Sequence, residues 1–231
     1  MNIIDFENIN VGYDSKIILK DITLKIKEKE HWAILGANGS GKSTLMKLIQ
    51  SEIHPRKTNP YKKEILGKSN YSILSGHYSS IGVFKHQDFS ESQHEKAKET
   101  MKYLEIEHLA NKYVQEMSTG ELRKCIVARA LIHDPKAFIL DEPTVGLDIK
   151  AQINFIKMIQ KLSKNCSIIL VTHHLEEIFE KIKNVALIYD NTIYKSKKKE
   201  DILTSQNLSE IFDTNIHINM KNNRYFVEEI F

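Results

Sequence analysis

Residues 36–44 read Gly36-Ala37-Asn38-Gly39-Ser40-Gly41-Lys42-Ser43-Thr44, which fits the phosphate-loop pattern G-x-x-x-x-G-K-[ST]. Glycines at these positions let the backbone turn back on itself, so that successive N–H groups point at one centre. A helix starting directly after such a loop adds positive potential beneath a bound phosphate. Lys42 is then placed to reach the β- and γ-phosphates, and the Ser43 hydroxyl to hold Mg²⁺. Further along, Leu140-Asp141-Glu142-Pro143 closes an apolar run with two acids. Asp141 in that position suits Mg²⁺, directly or through water, and Glu142 suits a general base that polarises an attacking water. The two sites together predict a chain that binds a nucleoside triphosphate.

The surrounding elements must hold these groups. Trp32-Ala33-Ile34-Leu35 is a short apolar strand feeding the loop, and Leu45-Met46-Lys47-Leu48-Ile49 begins a helix that runs to about Ile53. Before them, Ile3, Asp5, Glu7 and Ile9, then Ile17-Ile18-Leu19 and Ile22 to Ile26, alternate with the period of strands. Residues 54–72 contain the breakers Pro55, Pro60 and Gly67. Residues 91–133 carry no proline and place Ala97, Met101, Leu104 and Leu109 at turn spacing, which predicts a helical block. Ala137 to Leu140 and Ser167 to Val171 read as buried strands, with an amphipathic helix over 149–163 whose stripe is Ile149, Ile153, Ile156 and Ile159. Val185 to Tyr189, the turn Asp190-Asn191, and Thr192 to Tyr194 predict a hairpin. Residues from about Ile216 to Phe231 alternate weakly, as two further strands would. Strands alternating with helices after a phosphate loop give an α/β core with a largely parallel sheet, to which the β-rich start and the helical block are additions.

Composition sets the class. The 231 residues are 41% apolar and 27% charged, with a net charge of +3. That balance fits a globular protein and does not by itself indicate nucleic acid. Lys195, Lys197, Lys198 and Lys199 form a cluster that reads as a solvated face. Cys125 and Cys166 supply neither a disulfide framework nor metal spacing and are expected to be buried thiols. No run approaches the length of a membrane helix, and Met1 to Glu7 lacks the features of a signal peptide. The expected location is the cytosol, or a membrane face to which another subunit holds the chain.

Between the two nucleotide motifs lies Met117-Ser118-Thr119-Gly120-Glu121, followed by Leu122-Arg123-Lys124 and Ala128-Arg129-Ala130-Leu131. This stretch resembles the L-S-G-G-Q signature of ABC-type ATPases. Gly146-Leu147-Asp148 resembles the D-loop of that family, and Thr172-His173 its switch histidine. Tyr13 stands where the family places an aromatic ring against adenine. The order of these motifs agrees with the family from about residue 2 to residue 190. The resemblance implies one ABC-type domain over 1–231: a P-loop NTPase core, an N-terminal antiparallel β subdomain, a helical signature subdomain at about 74–133, and terminal strands at about 190–231. It implies ATP and Mg²⁺ as cofactors. The catalytic residues would be Glu142, His173 and Lys42, and the metal oxygens those of Ser43 and Asp141. Nucleotide contacts would come from Tyr13, Gly36, Asn38, Gly39, Ser40, Gly41, Lys42, Ser43, Thr44, Ser118, Gly120 and Asp148. It further implies a homodimer in which Ser118 and Gly120 of one copy meet the γ-phosphate held by Lys42 of the other. Separate transmembrane permease subunits would hold the pair at the cytoplasmic face of the membrane. His174 has no role in that scheme, and the His173-His174 pair makes no zinc site without further ligands.

Two departures stand out. Thr119 replaces the first signature glycine and Glu121 the usual glutamine; Thr119 is tolerated if its φ stays negative. The interval from Lys42 to Ser118 is also short for the family. Ser72-Ile73 runs straight into Leu74 to Gly82, which resembles the segment beyond the family's Q-loop, so a strand and the Q-loop are expected to be missing between Ile73 and Leu74. A segment omitted from the chain as written and a deletion in the gene both explain this. Leu74 to Phe84 and Thr172 to Glu177 look most similar to the molybdate or metal-chelate import branch. Two other functions compete: a soluble ABC ATPase of nucleic-acid repair or translation, and an ATP-binding regulatory module without turnover.

Overall fold

The computed structural model describes residues 1–13, 16–53, 73 and 89–228, with the side chains of Tyr13, Lys16 and 51–53 outside that description. The proposed Q-loop gap and the segment Leu74 to Phe84 therefore lie outside the described residues. In chain order the elements are strands β1 (Asn2–Tyr13), β2 (Lys16–Lys27) and β3 (Trp32–Gly36), then helices α1 (Lys42–Ile53), α2 (Glu91–Tyr103) and α3 (Thr119–Leu131). Strand β4 (Ala137–Asp141), helix α4 (Ile149–Leu162) and strands β5 (Ser167–Thr172), β6 (Asn184–Tyr189) and β7 (Thr192–Lys198) follow. Helices α5 (Lys199–Ile202) and α6 (Ser205–Phe212) and strands β8 (His217–Lys221) and β9 (Arg224–Glu228) complete the order. The chain divides into two compact units. The first holds 1–57, 136–145 and 159–231; the second holds 58–135 and 146–158.

In the first unit β4-β5-β3-β6-β7 form a sheet. The first four strands are parallel and β7 returns antiparallel along β6. The central strands are short with apolar interiors, as strands covered on both faces must be; β3 and β5 are buried at every position. The N-terminal ribbon β1–β2 is antiparallel, as expected, with Phe6 opposite Leu24 and Ile4 opposite Ile26. Its period-two residues Ile4, Phe6, Ile22, Leu24 and Ile26 all join one core with Ile34, Leu45, Ile49, Ile169 and Val171. The hairpin after β6 turns on Asp190 and Asn191, both at positive φ, and β8–β9 turns the same way on Asn222 and Asn223. Two left-handed residues in a row match the twist of the flanking strands, and asparagine and aspartate tolerate that conformation.

The expected helical block over 91–133 holds two α-helices, and two other expectations need correction. Leu104 ends α2 and Glu105 takes φ 59, a conformation through which no helix continues. The second helix starts afresh on a capping box, Ser118 to Glu121. On α4 the buried set is Phe155, Ile156, Met158, Ile159 and Leu162, while Ile149 and Ile153 are exposed. At 3.6 residues per turn those two lie toward the edge of the buried set beside Ile156, so the isoleucine stripe is buried only at Ile156 and Ile159. Finally, Lys195, Lys197 and Lys198 are exposed but Lys199 is not. Lys199 opens α5 at 4% exposure, its ammonium 5.7 Å from the centre of the Tyr225 ring, and burial pulls its pKa down.

Cys125 and Cys166 are buried as expected, and burial pushes the Cys166 thiol up to about 11. Among the described residues no helix is long and apolar enough to cross a membrane. Truncating the fully buried Phe6 to alanine is expected to cost about 3–5 kcal/mol in chemical denaturation. Truncating the exposed Ile17 on the same ribbon should cost no more than about 0.5 kcal/mol.

Candidate nucleotide site

In a parallel sheet every strand ends at the same edge, and ligands bind beyond that edge. Here Leu35 of β3 lies beside Thr172 of β5, and Val171 beside Asp141 of β4. The register therefore brings the loop after β3, the acids after β4 and the histidine after β5 to one place. These are the three segments whose chemistry the sequence singled out.

The loop itself is built by steric necessity. Gly41 has φ 101, and a Cβ there would stand 2.5 Å from Leu19 Cδ2. Only glycine combines that backbone with that closeness. The amide of Leu45 donates to the Gly41 carbonyl at 2.9 Å, so the helix grows directly out of the loop. Lys42 is 8% exposed. Its Nζ donates to the carbonyls of Gly36 at 2.7 Å and Ala37 at 3.0 Å. Burial lowers its pKa, and the charges of Glu142 and Asp141 pull it back up. Asn38, Gly39 and Ser43 are exposed along the loop, and Ser40 and Thr44 half-buried. The Ser40 hydroxyl is buried with no hydrogen-bond partner among the described residues.

Asp141 ends β4, and its carboxyl is pushed above the usual range by burial first and by Glu142 second, with Lys42 opposing. Glu142 has φ 43 and donates its amide to the Val171 carbonyl at 2.9 Å. Its Oε1 lies 2.6 Å from His173 Nδ1, and Thr172 Oγ1 donates to its Oε2 at 3.3 Å. The expected base and switch histidine are thus in direct contact.

One pair escaped sequence reasoning. Glu177 is 3% exposed. Its Oε1 accepts the Thr144 amide at 3.1 Å and also the Thr144 hydroxyl. Glu142 and Thr144 flank Pro143, and His173 and Glu177 share one short segment. The pair therefore ties the turn that carries the acid to the segment that carries the histidine. The sequence assigned Glu177 no role at the site, and its burial reveals the tie.

Ser118, Gly120 and Asp148 belong to the second unit. Ser118 is the N-cap of α3: Glu121 donates its amide to Ser118 Oγ, and Glu121 Oε2 accepts the Ser118 amide at 2.8 Å. Glutamate closes this box as glutamine would, and it also pairs with Lys112 at 2.8 Å. That hydrogen bond, ahead of the Ser118 amide, draws the Glu121 pKa down. Thr119 is not among the residues of positive φ, so its Cβ is tolerated. Asp148 caps α4, its Oδ1 accepting the Ala151 amide at 2.8 Å. Tyr13 ends β1, and its side chain lies outside the description.

A family model described as ABC transporter matches residues 19–145. The ABC transporter ATP-binding protein YlmA of Bacillus subtilis (strain 168) is 32% identical, with 97% of this chain and 96% of that protein covered. That alignment runs over 256 positions, so the relative carries positions that this chain of 231 residues lacks. The zinc import ATP-binding protein ZnuC of Wigglesworthia glossinidia brevipalpis is 33% identical, covering 86% of this chain and 88% of its own. A solved inward-facing metal-chelate type ABC transporter has a chain of the same fold, with a TM-score of 0.76 at 22% identity. It covers 96% of this chain and 94% of its own.

Glu177→Ala leaves two buried Thr144 donors without a partner. The expected loss is about 1–3 kcal/mol in chemical denaturation, and it should shrink when Thr144→Val is already present. Fully additive losses would mean that the two side chains do not act as a pair.

Proposed function

The chain belongs to the ABC transporter family of ATP-binding proteins, whose members are ATPases that power transport, and on that premise we propose a residue-by-residue mechanism for ATP hydrolysis at this site. The contact between Glu142 and His173 carries the reading. A carboxylate held against an imidazole, beyond the strand edge where Lys42 sits, can take a proton from water while the histidine steadies both water and γ-phosphate. Lys42 exchanges the carbonyls of Gly36 and Ala37 for the β- and γ-phosphate oxygens. The loop from Gly36 to Thr44, with Asn38, Gly39, Ser40 and Gly41, presents backbone amides to the same phosphates. Tyr13 takes the adenine by its ring face.

The Ser43 hydroxyl and Asp141 carboxylate are hard oxygen donors that fit Mg²⁺ and are poorly suited to softer metals. The ion, held there, offsets charge developing on the phosphates. A partner copy would present Ser118, with the amide-rich start of α3 and Gly120, to the γ-phosphate. Asp148 lies on the D-loop of that interface. The dimer would close on ATP and open after hydrolysis, a two-state equilibrium biased by contacts made in one state only. Separate permease subunits would hold it at the cytoplasmic face of a membrane. The names of relatives in zinc import and metal transport support a divalent metal or metal chelate as cargo. A second reading is an ATP-binding module that does not turn over. It draws support from the positions that this chain lacks against its relative.

Steady-state Mg-ATP hydrolysis by the purified chain separates the two. Glu142→Gln is expected to keep ATP binding and lower kcat by about 10²–10⁴-fold, the range of a general base. Hydrolysis as fast as wild type would reassign the base. Lys42→Ala should weaken ATP binding by roughly 10–100-fold, the scale of a lost charge-assisted hydrogen bond. ATP binding without turnover in the wild type would favour the second reading.

A further inference from the structure

His174 has no part in the mechanism above, and its neighbourhood is suited to something else. Its ring lies 4.0 Å from that of His173, centre to centre, with 37° between the planes. Read from the sequence, two adjacent histidines lacked a further ligand. The fold supplies one, because Glu142 arrives from the end of β4. One ligand atom each from Glu142, His173 and His174 lies within 4.8 Å of the others, and all three side chains are half-buried. That leaves them open to an ion in solution. Two nitrogens and one carboxylate oxygen make up the ligand set of an open zinc site, whose fourth position is left to water. Zinc at about 2.0–2.1 Å from each ligand spans at most about 4.2 Å between any two. A modest side-chain rotation closes the set.

We propose that Glu142, His173 and His174 form a binding site for a divalent transition-metal ion, Zn²⁺ by ligand chemistry, and that its occupation reversibly stops ATP hydrolysis. Imidazole nitrogens select such ions over Mg²⁺, which prefers oxygen and keeps its waters. The metal would replace the proton of the 2.6 Å hydrogen bond between His173 Nδ1 and Glu142 Oε1: a neutral imidazole keeps that proton by moving it to Nε2, and an imidazolium releases it to solvent. No electron changes hands. The metal then occupies the lone pairs that would receive a proton from water and steady the γ-phosphate. The inhibitory part rests on the mechanism proposed above; the binding part does not. For a subunit serving metal import, the ion would act as product feedback on its own motor.

The test uses the full chain without nucleotide, titrated with Zn²⁺ by calorimetry and with Co²⁺ by its visible absorption. His174→Ala, Glu142→Gln and excess Mg²⁺ serve as comparisons. One site is expected in the wild type, insensitive to Mg²⁺ and weakened roughly tenfold or more in each variant, since even outer-shell changes cost about that much. In Mg-ATP hydrolysis, His174→Ala should match wild type without zinc and resist zinc that inhibits wild type. Equal zinc affinity in wild type and both variants, as adventitious binding to other histidines would give, overturns the site. Equal inhibition of wild type and His174→Ala overturns its regulatory role. If the wild type binds zinc at this site but never hydrolyses ATP, the mechanism fails and the site stands.

Discussion

Parallel pairing of β4, β5 and β3 is the constraint on which the site depends. It is a backbone interaction, indifferent to side chains, yet it sets the relative height of three strand ends. Leu35 beside Thr172 and Asp141 beside Val171 leave the phosphate loop, Glu142 and His173 no separate places to go. A slip of one residue on either pair would turn the edge side chains to the opposite face. The uninterrupted apolar run of each strand suits burial on both faces, and helix α1 grows from the loop itself through the Leu45 amide.

A second layer of control is polar and buried. Thr144 and Glu177 join two loops that the sheet alone would leave loosely related. Backbone ladders stop where strands stop. Beyond that point, the 2.6 Å approach of Glu142 to His173 relies on side chains that hold the loops. A buried carboxylate is expensive unless its partners are well placed. Its presence here marks a spot where geometry matters more than cheap packing.

The chemistry was largely legible in the sequence because it is local. A phosphate loop and an acid pair after an apolar run each specify their structure within a few residues. The Asp190-Asn191 turn was local in the same sense. What stayed hidden depends on long-range burial. Lys199 read as part of a solvated face and Glu177 had no assigned role, since nothing nearby in sequence says that the fold will cover them. Ile149 and Ile153 read as one stripe with Ile156 and Ile159, but only the latter two are buried, and Phe155, Met158 and Leu162 complete the packing stripe of α4. The break at Glu105 was invisible because no proline or glycine marks it.

The hydrogen bonds of Lys42 to Gly36 and Ala37 have a thermodynamic meaning for recognition. The ammonium is solvated by the loop's own carbonyls. An incoming anion is therefore a competitor for an internal ligand rather than the first partner of a naked charge. Weak or singly charged anions gain little from such an exchange. A polyphosphate, which also engages the loop amides and the helix terminus, gains at several points at once. On the proposed mechanism the self-satisfied lysine would set a threshold that small anions do not cross and a triphosphate does.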